Sequence, residues 1–159
     1  MSTSEITYKI FEGYPKEEII ISLTKINQEV FGWEETQKAL EKELEGRSNI
    51  LICLAFQADT LVGFKLGFKE RSYYFESWRG GVLQSYRNQG IGQELLRRQH
   101  EWCKTKGFRI VTTITDNKNI PMLMVNLRNG FEIVGTFFDR GQHVKIVLQK
   151  WLIPIPNKK

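Results

Sequence analysis

Apolar and polar positions along the chain change period several times, and each change marks an element. Ile6 to Phe11 alternates as a short strand does. After a turn at Gly13-Tyr14-Pro15, the stretch from Lys16 to Phe31 places Ile19, Ile20, Leu23, Ile26, Val30 and Phe31 at helical spacing, and Gly32 stops it. The spacing predicts a second helix over Glu34 to Leu44 with Gly46 beyond its end. Asn49 to Gln57 and Thr60 to Lys69, joined at Ala58-Asp59, read as a hairpin, and Tyr73 to Leu83 as a further strand. A polar stretch, Gln84 to Gly90, leads into a helix with Ile91, Leu95, Leu96, Trp102 and Cys103 on one face, ended by Gly107. Arg109 to Thr115 is rich in β-branched residues and predicts a buried strand. A short helix follows, capped by Asn119, with Pro121 in its first turn and Asn129-Gly130 at its end. Phe131 to Phe138 and His143 to Gln149 close the pattern as a second hairpin. This order predicts an α/β sandwich on a mixed sheet rather than a doubly wound nucleotide fold.

Composition narrows the class. The chain has 159 residues and 18.6 kDa, with 41% apolar and 26% charged side chains, and no linker-like stretch or internal repeat. A single domain over residues 1–159 is expected, burying roughly 70% of its unfolded surface. Disordered, collagen-like and low-complexity classes are excluded. The longest apolar run, Ile50 to Phe56, is far short of the roughly 20 residues of a membrane span. Met1 to Ile10 lacks the basic patch and greasy stretch of a secretion signal, so a cytoplasmic protein is expected. Cys53 and Cys103 are read as buried free thiols. His100 and Cys103 are too few for a metal site, and Lys104 stands where a zinc-protease helix needs its second histidine. The net charge of +5 favours anionic partners, but the basic residues are dispersed and Lys158-Lys159 is too short for a nucleic-acid arm.

Candidate chemistry concentrates in Arg87-Asn88-Gln89-Gly90-Ile91-Gly92, between a predicted strand and a predicted helix. Glycines there let the main chain approach a ligand, and the helix N-terminus offers unpaired amides and a positive dipole end, which suits a pyrophosphate. The expected donors are the main-chain N–H groups of Gln89, Gly90, Ile91, Gly92 and Gln93, with Arg87 adding charge. The dinucleotide pattern fails because Leu95 occupies its third glycine position, and the triphosphate pattern fails because no Gly-Lys-Ser/Thr follows. By itself the pattern R-x-x-G-x-G also describes an ordinary turn at a helix start.

Around this loop the sequence resembles the GNAT superfamily of acetyl-CoA-dependent N-acetyltransferases. Arg87, Gly90 and Gly92 match its cofactor motif, and the likeness runs through Gly80-Gly81-Val82-Leu83, the helix Gln93 to Lys106, Asn119 and Asn129-Gly130-Phe131, roughly residues 61–150. The resemblance implies a mixed, mostly antiparallel sheet of about seven strands flanked by four helices. It also implies acetyl-CoA as co-substrate, its pantetheine arm lying between splayed fourth and fifth strands against the main chain of Val82 and Leu83. One of their N–H groups would face the thioester oxygen. Asn119 matches an asparagine that touches the cofactor arm; helix capping is its other reading.

An amine with a lysine-like pKa of about 10.4 must lose a proton before it attacks, so a base or a water chain is needed. Glu76 precedes the first motif residue, Arg87, by the same eleven positions as the catalytic glutamate of the family's histone-acetylating branch. Strand alternation places Glu76, Trp78, Gly80 and Val82 on one face and Phe75, Ser77 and Arg79 on the other. The alternative for Glu76 is a solvated strand carboxylate or a partner for Arg79 or Arg71. Where many members carry a tyrosine acid, this chain has Asn126, which can donate a hydrogen bond but no proton. Tyr73, Tyr74 and Tyr86 are the remaining substitutes, each equally suited to packing.

By the same resemblance, Phe31, Gly32, Trp33, Glu34, Glu35, Trp78 and the Asp139 to His143 turn line an acceptor pocket suited to a cationic amine, although these residues also suit a core edge and a helix start. The leading expectation is acetyl transfer to a primary amine, on a small molecule or a peptide, by direct attack in a ternary complex without an acyl-enzyme, since neither cysteine is placed as a nucleophile. A non-catalytic acyl-CoA sensor or interaction module is the alternative. No metal, nucleic-acid or membrane partner is expected. Homodimers occur widely in the superfamily, and Trp151 to Ile155 is an apolar tail that suits either such a contact or its own sheet.

Overall fold

The computed structural model describes residues 4–154; Ile155 of the apolar tail and the Lys158-Lys159 pair lie outside it. The elements are β1 (Ile6–Glu12), α1 (Glu17–Phe31), α2 (Gln37–Leu44), β2 (Leu51–Gln57), β3 (Thr60–Arg71), β4 (Tyr74–Val82), α3 (Ile91–Thr105), β5 (Ile110–Asp116), α4 (Ile120–Arg128), β6 (Glu132–Phe138) and β7 (Val144–Trp151), with one 3-10 turn at Gln84–Tyr86. They form one seven-stranded sheet in the order β1-β2-β3-β4-β5-β7-β6. Every neighbouring pair is antiparallel except β4 and β5, which α3 connects as a parallel crossover.

Each sheet face buries its own helices. On one side, Ile20, Leu23 and Ile26 of α1 and Leu40 and Leu44 of α2 pack on Ile52, Leu54, Phe64, Leu66 and Phe68. On the other, Leu95, Leu96, Trp102 and Cys103 of α3 cover Leu51, Cys53, Ala55, Phe75, Val111 and Leu148. Each fully buried leucine or isoleucine contributes about 2 kcal/mol of transfer free energy, so the two clusters hold the strands between them. Leu123 of α4 packs on the α3-side cluster, but no α4 residue is fully buried, and the edge strand β6 leaves Ile133, Val134, Phe137 and Phe138 exposed.

Several boundaries differ from the periodicity by a residue or more, and three have a visible cause. The second helix starts at Gln37 rather than Glu34, because the Thr36 hydroxyl accepts from Ala39 N–H and fixes the N-cap there; Trp33, Glu34 and Glu35 remain connecting chain. Tyr73 takes φ +67° in the β3–β4 turn, so β4 begins one residue later. At the C-terminal end, Trp151 pairs with Ile110 and Leu152 N–H donates to Arg109 O, with Leu152 packed on the core; the described part of the tail closes on its own sheet.

The fourth and fifth strands pair over only three residues, Tyr74↔Ile110, Phe75↔Val111 and Glu76↔Thr112. Just beyond, the Thr113 hydroxyl donates to Ser77 O at 3.0 Å, and from there the strands part. The opening this leaves in mid-sheet lies ahead of the α3 N-terminus.

Candidate active site

A bulge in β4 sets the side-chain arrangement at the opening. Leu66 pairs with Arg79 and Gly67 with Ser77, so Trp78 is an extra residue. Gly67 permits the irregularity: a Cβ there would fall 2.3 Å from Glu76 O and 2.4 Å from the Phe75 ring. The bulge corrects the simple alternation expected from sequence. Glu76 pairs with Phe68, so it faces α1 and α2, and Trp78 packs in that same cluster; Arg79, opposite Leu66, joins them instead of pointing away. Past the bulge the faces are exchanged, and Gly80 and Val82 lie opposite Lys65 and Gly63 on the α3 side.

Glu76 therefore sits at the last β4–β5 rung, where the opening begins. It is half-buried, and burial raises its pKa above the ordinary value, with Glu70 pushing the same way and Arg47 opposing. Neither anticipated partner holds it: Arg71 pairs with Glu70 and Arg79 with Glu35.

The main chain of β4 is divided between two neighbours. Leu83 N–H donates to Val62 O at 2.9 Å and so faces β3. By the antiparallel alternation, the N–H and C=O of Val82 and of Gly80 then face the opening. Of the two amides anticipated for the thioester oxygen, Val82 has the outward direction and Leu83 does not; Gly80 was not anticipated as a pairing residue.

At the head of the opening, Gly90 takes φ +81° as the residue before α3, a conformation glycine adopts without strain. No side chain caps α3, and the first intrahelical acceptor, Gly90 O, is taken by Glu94 N–H, so the N–H groups of Ile91, Gly92 and Gln93 have no helical partner. Ile91 is buried in the core, while Gly92, Gln93 and Gln89 are exposed. Gln89 donates to Ser85 O and Gln93 to Asn129 Oδ1, while Arg87 folds back with Nε 3.0 Å from Val82 O. Charge, free amides and glycine clearance thus meet in a cradle for an anion.

Asn119 caps α4, its Oδ1 accepting from Met122 N–H at 3.3 Å. Asn126 donates through Nδ2 to the Thr115 hydroxyl at 3.2 Å, which ties α4 to β5. The tyrosine substitutes are placed elsewhere: Tyr86 donates its hydroxyl proton to Gln57 Oε1, Tyr73 lies under Arg109, and Tyr74 lies under Arg71.

On the α1 and α2 side, Gly32, Trp33, Glu34, Glu35 and Arg79 line an open cleft of about 530 Å³. Arg79 carries its structure, pairing with both oxygens of Glu35 while its guanidinium lies 3.8 Å from the Trp78 ring and 5.0 Å from the Trp33 ring. Trp33 stacks on Phe31 at 4.3 Å. Asn27, fully buried on α1, donates to Glu35 as well. Plain strand alternation places Arg79 on the opposite face, so the sequence alone does not reveal this network. Glu34 is the exposed carboxylate of the lining, and the Asp139 to His143 turn is not part of it.

Cys53 and Cys103 are buried free thiols, and burial raises both pKa values, that of Cys53 to about 12. Among the described residues, no group of three or more His, Cys, Asp or Glu side chains forms a metal site, and no helix is long and apolar enough to cross a membrane.

The model of the acetyltransferase (GNAT) family matches residues 18–131. Among solved structures, the ribosomal-protein-S18-alanine N-acetyltransferase from Escherichia coli superposes with a TM-score of 0.77 at 13% identity, covering 96% of this chain and 99% of that one. Ard1 from Thermoplasma volcanium gives 0.76 at 18% identity, covering 92% and 99%. An aminoglycoside 6'-N-acetyltransferase complexed with coenzyme A gives 0.75 at 16%, covering 94% and 99%. No curated protein sequence matches the chain.

Proposed function

As the chain belongs to the acetyltransferase (GNAT) family, we propose that it moves an acetyl group from acetyl-CoA to a primary amine by direct attack in a ternary complex. The observation that carries this reading is the row of main-chain groups running from the unpartnered first-turn amides of α3 to Val82 and Gly80, which face the opening, with Val82 O held by the Arg87 guanidinium. That row fits a diphosphate at one end and an extended amide-bearing arm along the rest. Acetyl-CoA, when bound, supplies the activated acyl group.

The chain's residues divide the remaining work. The amides of Gln89 to Gln93 and the Arg87 guanidinium hold the diphosphate, and Val82 and Gly80 pair with the arm. Val82 N–H stabilises the oxyanion. Glu76 takes the proton from the acceptor ammonium, directly or through water, and its raised pKa brings it nearer to the working pH of a general base. Trp33, Trp78 and Phe31 form aromatic walls for the acceptor, with Glu34 as a carboxylate for a cationic amine. Asn119 contacts the cofactor arm from α4, and Asn126, where many members carry a tyrosine acid, offers a hydrogen bond but no proton to the reacting group.

A thiol-release assay with polyamines, aminoglycosides, amino acids and peptide N-termini, run beside calorimetry with acetyl-CoA, tests the proposal. Binding with turnover on at least one amine is the expected result. Tight binding with no turnover on any of them would identify a sensor instead, and no binding at millimolar acetyl-CoA would remove the function altogether.

A further inference from the structure

Lys65 lays its charged side chain over β4 on the α3 side of the sheet. Its backbone pairs with Gly80, and both Cγ and Nζ lie 3.4 Å from where a Gly80 Cβ would stand. Glycine at 80 thus clears a path for the lysine over the strand, above the main-chain groups that face the opening. The side chain is half-buried, and among the described residues no carboxylate pairs with its amine.

Cys53 on β2 is paired with Lys65 and is held as a thiol. From α3 come Arg98, whose charge reaches Cys53, and His100, on which the charges of Lys65, Lys104 and Lys150 also act. His100 Nε2 has no partner, nor has either amide atom of the fully buried Gln99 beside it in sequence. A half-buried ammonium without a counter-ion is a place prepared for an anion.

Resting on the acetyl-transfer reading above, we infer that Lys65 stabilises and protonates the sulfur that departs in the reaction. Asn126 has no proton to give and is tied to Thr115. As the acceptor nitrogen forms its bond to the acyl carbon, the carbon–sulfur electron pair leaves with sulfur, which takes a proton from Nζ. The acceptor ammonium loses two protons, one to Glu76 before it attacks and one to solvent as its nitrogen becomes a neutral amide; Glu76 then passes its proton to solvent and Lys65 regains one, so the sulfur keeps one proton and one is released per turnover. Burial lowers the amine to about 8, near the ordinary thiol value of about 8.5, which makes the transfer close to neutral in free energy.

Calorimetry with coenzyme A and with desulfo-coenzyme A, in which hydrogen replaces the thiol, tests this without turnover. At pH 8 the wild-type protein is expected to hold coenzyme A about tenfold more tightly than the desulfo form, as a charge-assisted hydrogen bond to sulfur implies. It should also release protons on binding, seen as a heat that depends on the buffer. Lys65→Met is expected to erase both differences and keep its affinity for the desulfo form. Equal wild-type affinities, discrimination that survives in Lys65→Met, or loss of both ligands by a Lys65→Met protein whose circular dichroism shows it folded would each overturn the inference. The wild-type comparison decides the matter even if the variant does not fold. Wild-type protein that binds neither ligand would overturn the acetyl-transfer reading itself, and this inference with it.

Discussion

Arg79 grips Glu35 through both carboxylate oxygens, at 2.9 and 2.8 Å, across 44 residues of sequence, with both side chains largely buried. Removing one partner of such a pair strands the other charge and costs about 3 kcal/mol. Arg79→Met is therefore expected to lower Tm by about 10 °C. Glu35→Gln, which keeps an acceptor for Asn27, should lower it less. Both should raise KM for the amine while leaving the acetyl-CoA Kd unchanged; an unaltered KM in each would detach the cleft from acceptor binding.

Glu76→Gln separates catalysis from folding. A general base contributes typically a factor of about 10² or more, so kcat should fall by at least that much with acetyl-CoA binding retained. Because the folded pKa of Glu76 is raised, the native state binds the proton more tightly than the unfolded chain. The stability this brings is complete below the unfolded value and is lost as pH rises through the folded one. At pH 7 the native protein bears the cost of a half-buried carboxylate that glutamine lacks. The variant should thus melt at the same temperature as the parent or above it, and a slow variant with a lowered Tm would point to a structural role.

The α3 cradle predicts opposite effects on stability and binding. Gly92 is exposed, and a Cβ there would meet only Val82 Cγ2, at 3.8 Å. Gly92→Asp is accordingly accommodated by the fold, and a carboxylate in the first turn favours the helix dipole by up to about 1 kcal/mol. The same charge repels a diphosphate. Calorimetry should show acetyl-CoA affinity reduced more than about tenfold, as loss of one charge-assisted contact implies, with Tm preserved. Undiminished affinity would place the diphosphate elsewhere.

His100 gives the protein an acid limb. Burial, with Lys150, Lys65 and Lys104 adding repulsion, lowers its pKa to about 3. Between the unfolded value of about 6.5 and that figure, the unfolded chain binds a proton that the native state refuses. Stability is complete above pH 6.5 and drains as pH falls, at about 1.4 kcal/mol per unit from this residue. Chemical denaturation of His100→Leu at a series of pH values should show a flatter decline than the parent; parallel curves would contradict the assignment.

Most elements were legible because their apolar periods are long: α1 and α3 carry full stripes, and β2, β3 and β5 are continuous or β-branched runs. The left-handed Gly90 and the uncapped start of α3 were legible too, since a glycine directly before an amphipathic stripe marks a turn into a helix. The side-chain layout around it was not. A bulge adds one residue without altering composition, so Ser77-Trp78-Arg79-Gly80 reads as plain alternation until Gly67 on the neighbouring strand is known to lie opposite. The Arg79–Glu35 pair and the place of Lys65 over Gly80 were hidden because each depends on a contact between distant segments, although Glu35 itself was expected in the cleft lining. The start of α2 was missed more locally: Glu34 and Glu35 suit a first helical turn by propensity, but Thr36 takes the cap and leaves Glu35 for Arg79.

The three rungs between β4 and β5 make the sheet, mechanically, two plates joined along a short seam, one of four strands and one of three. Each plate has its own longer ladder of backbone bonds, so the seam is the shortest pairing in the sheet. A ligand laid in the opening and anchored on both strands acts as a staple across that seam. Loading should then slow amide exchange along both margins at once, and it should raise the force needed to pull the halves apart.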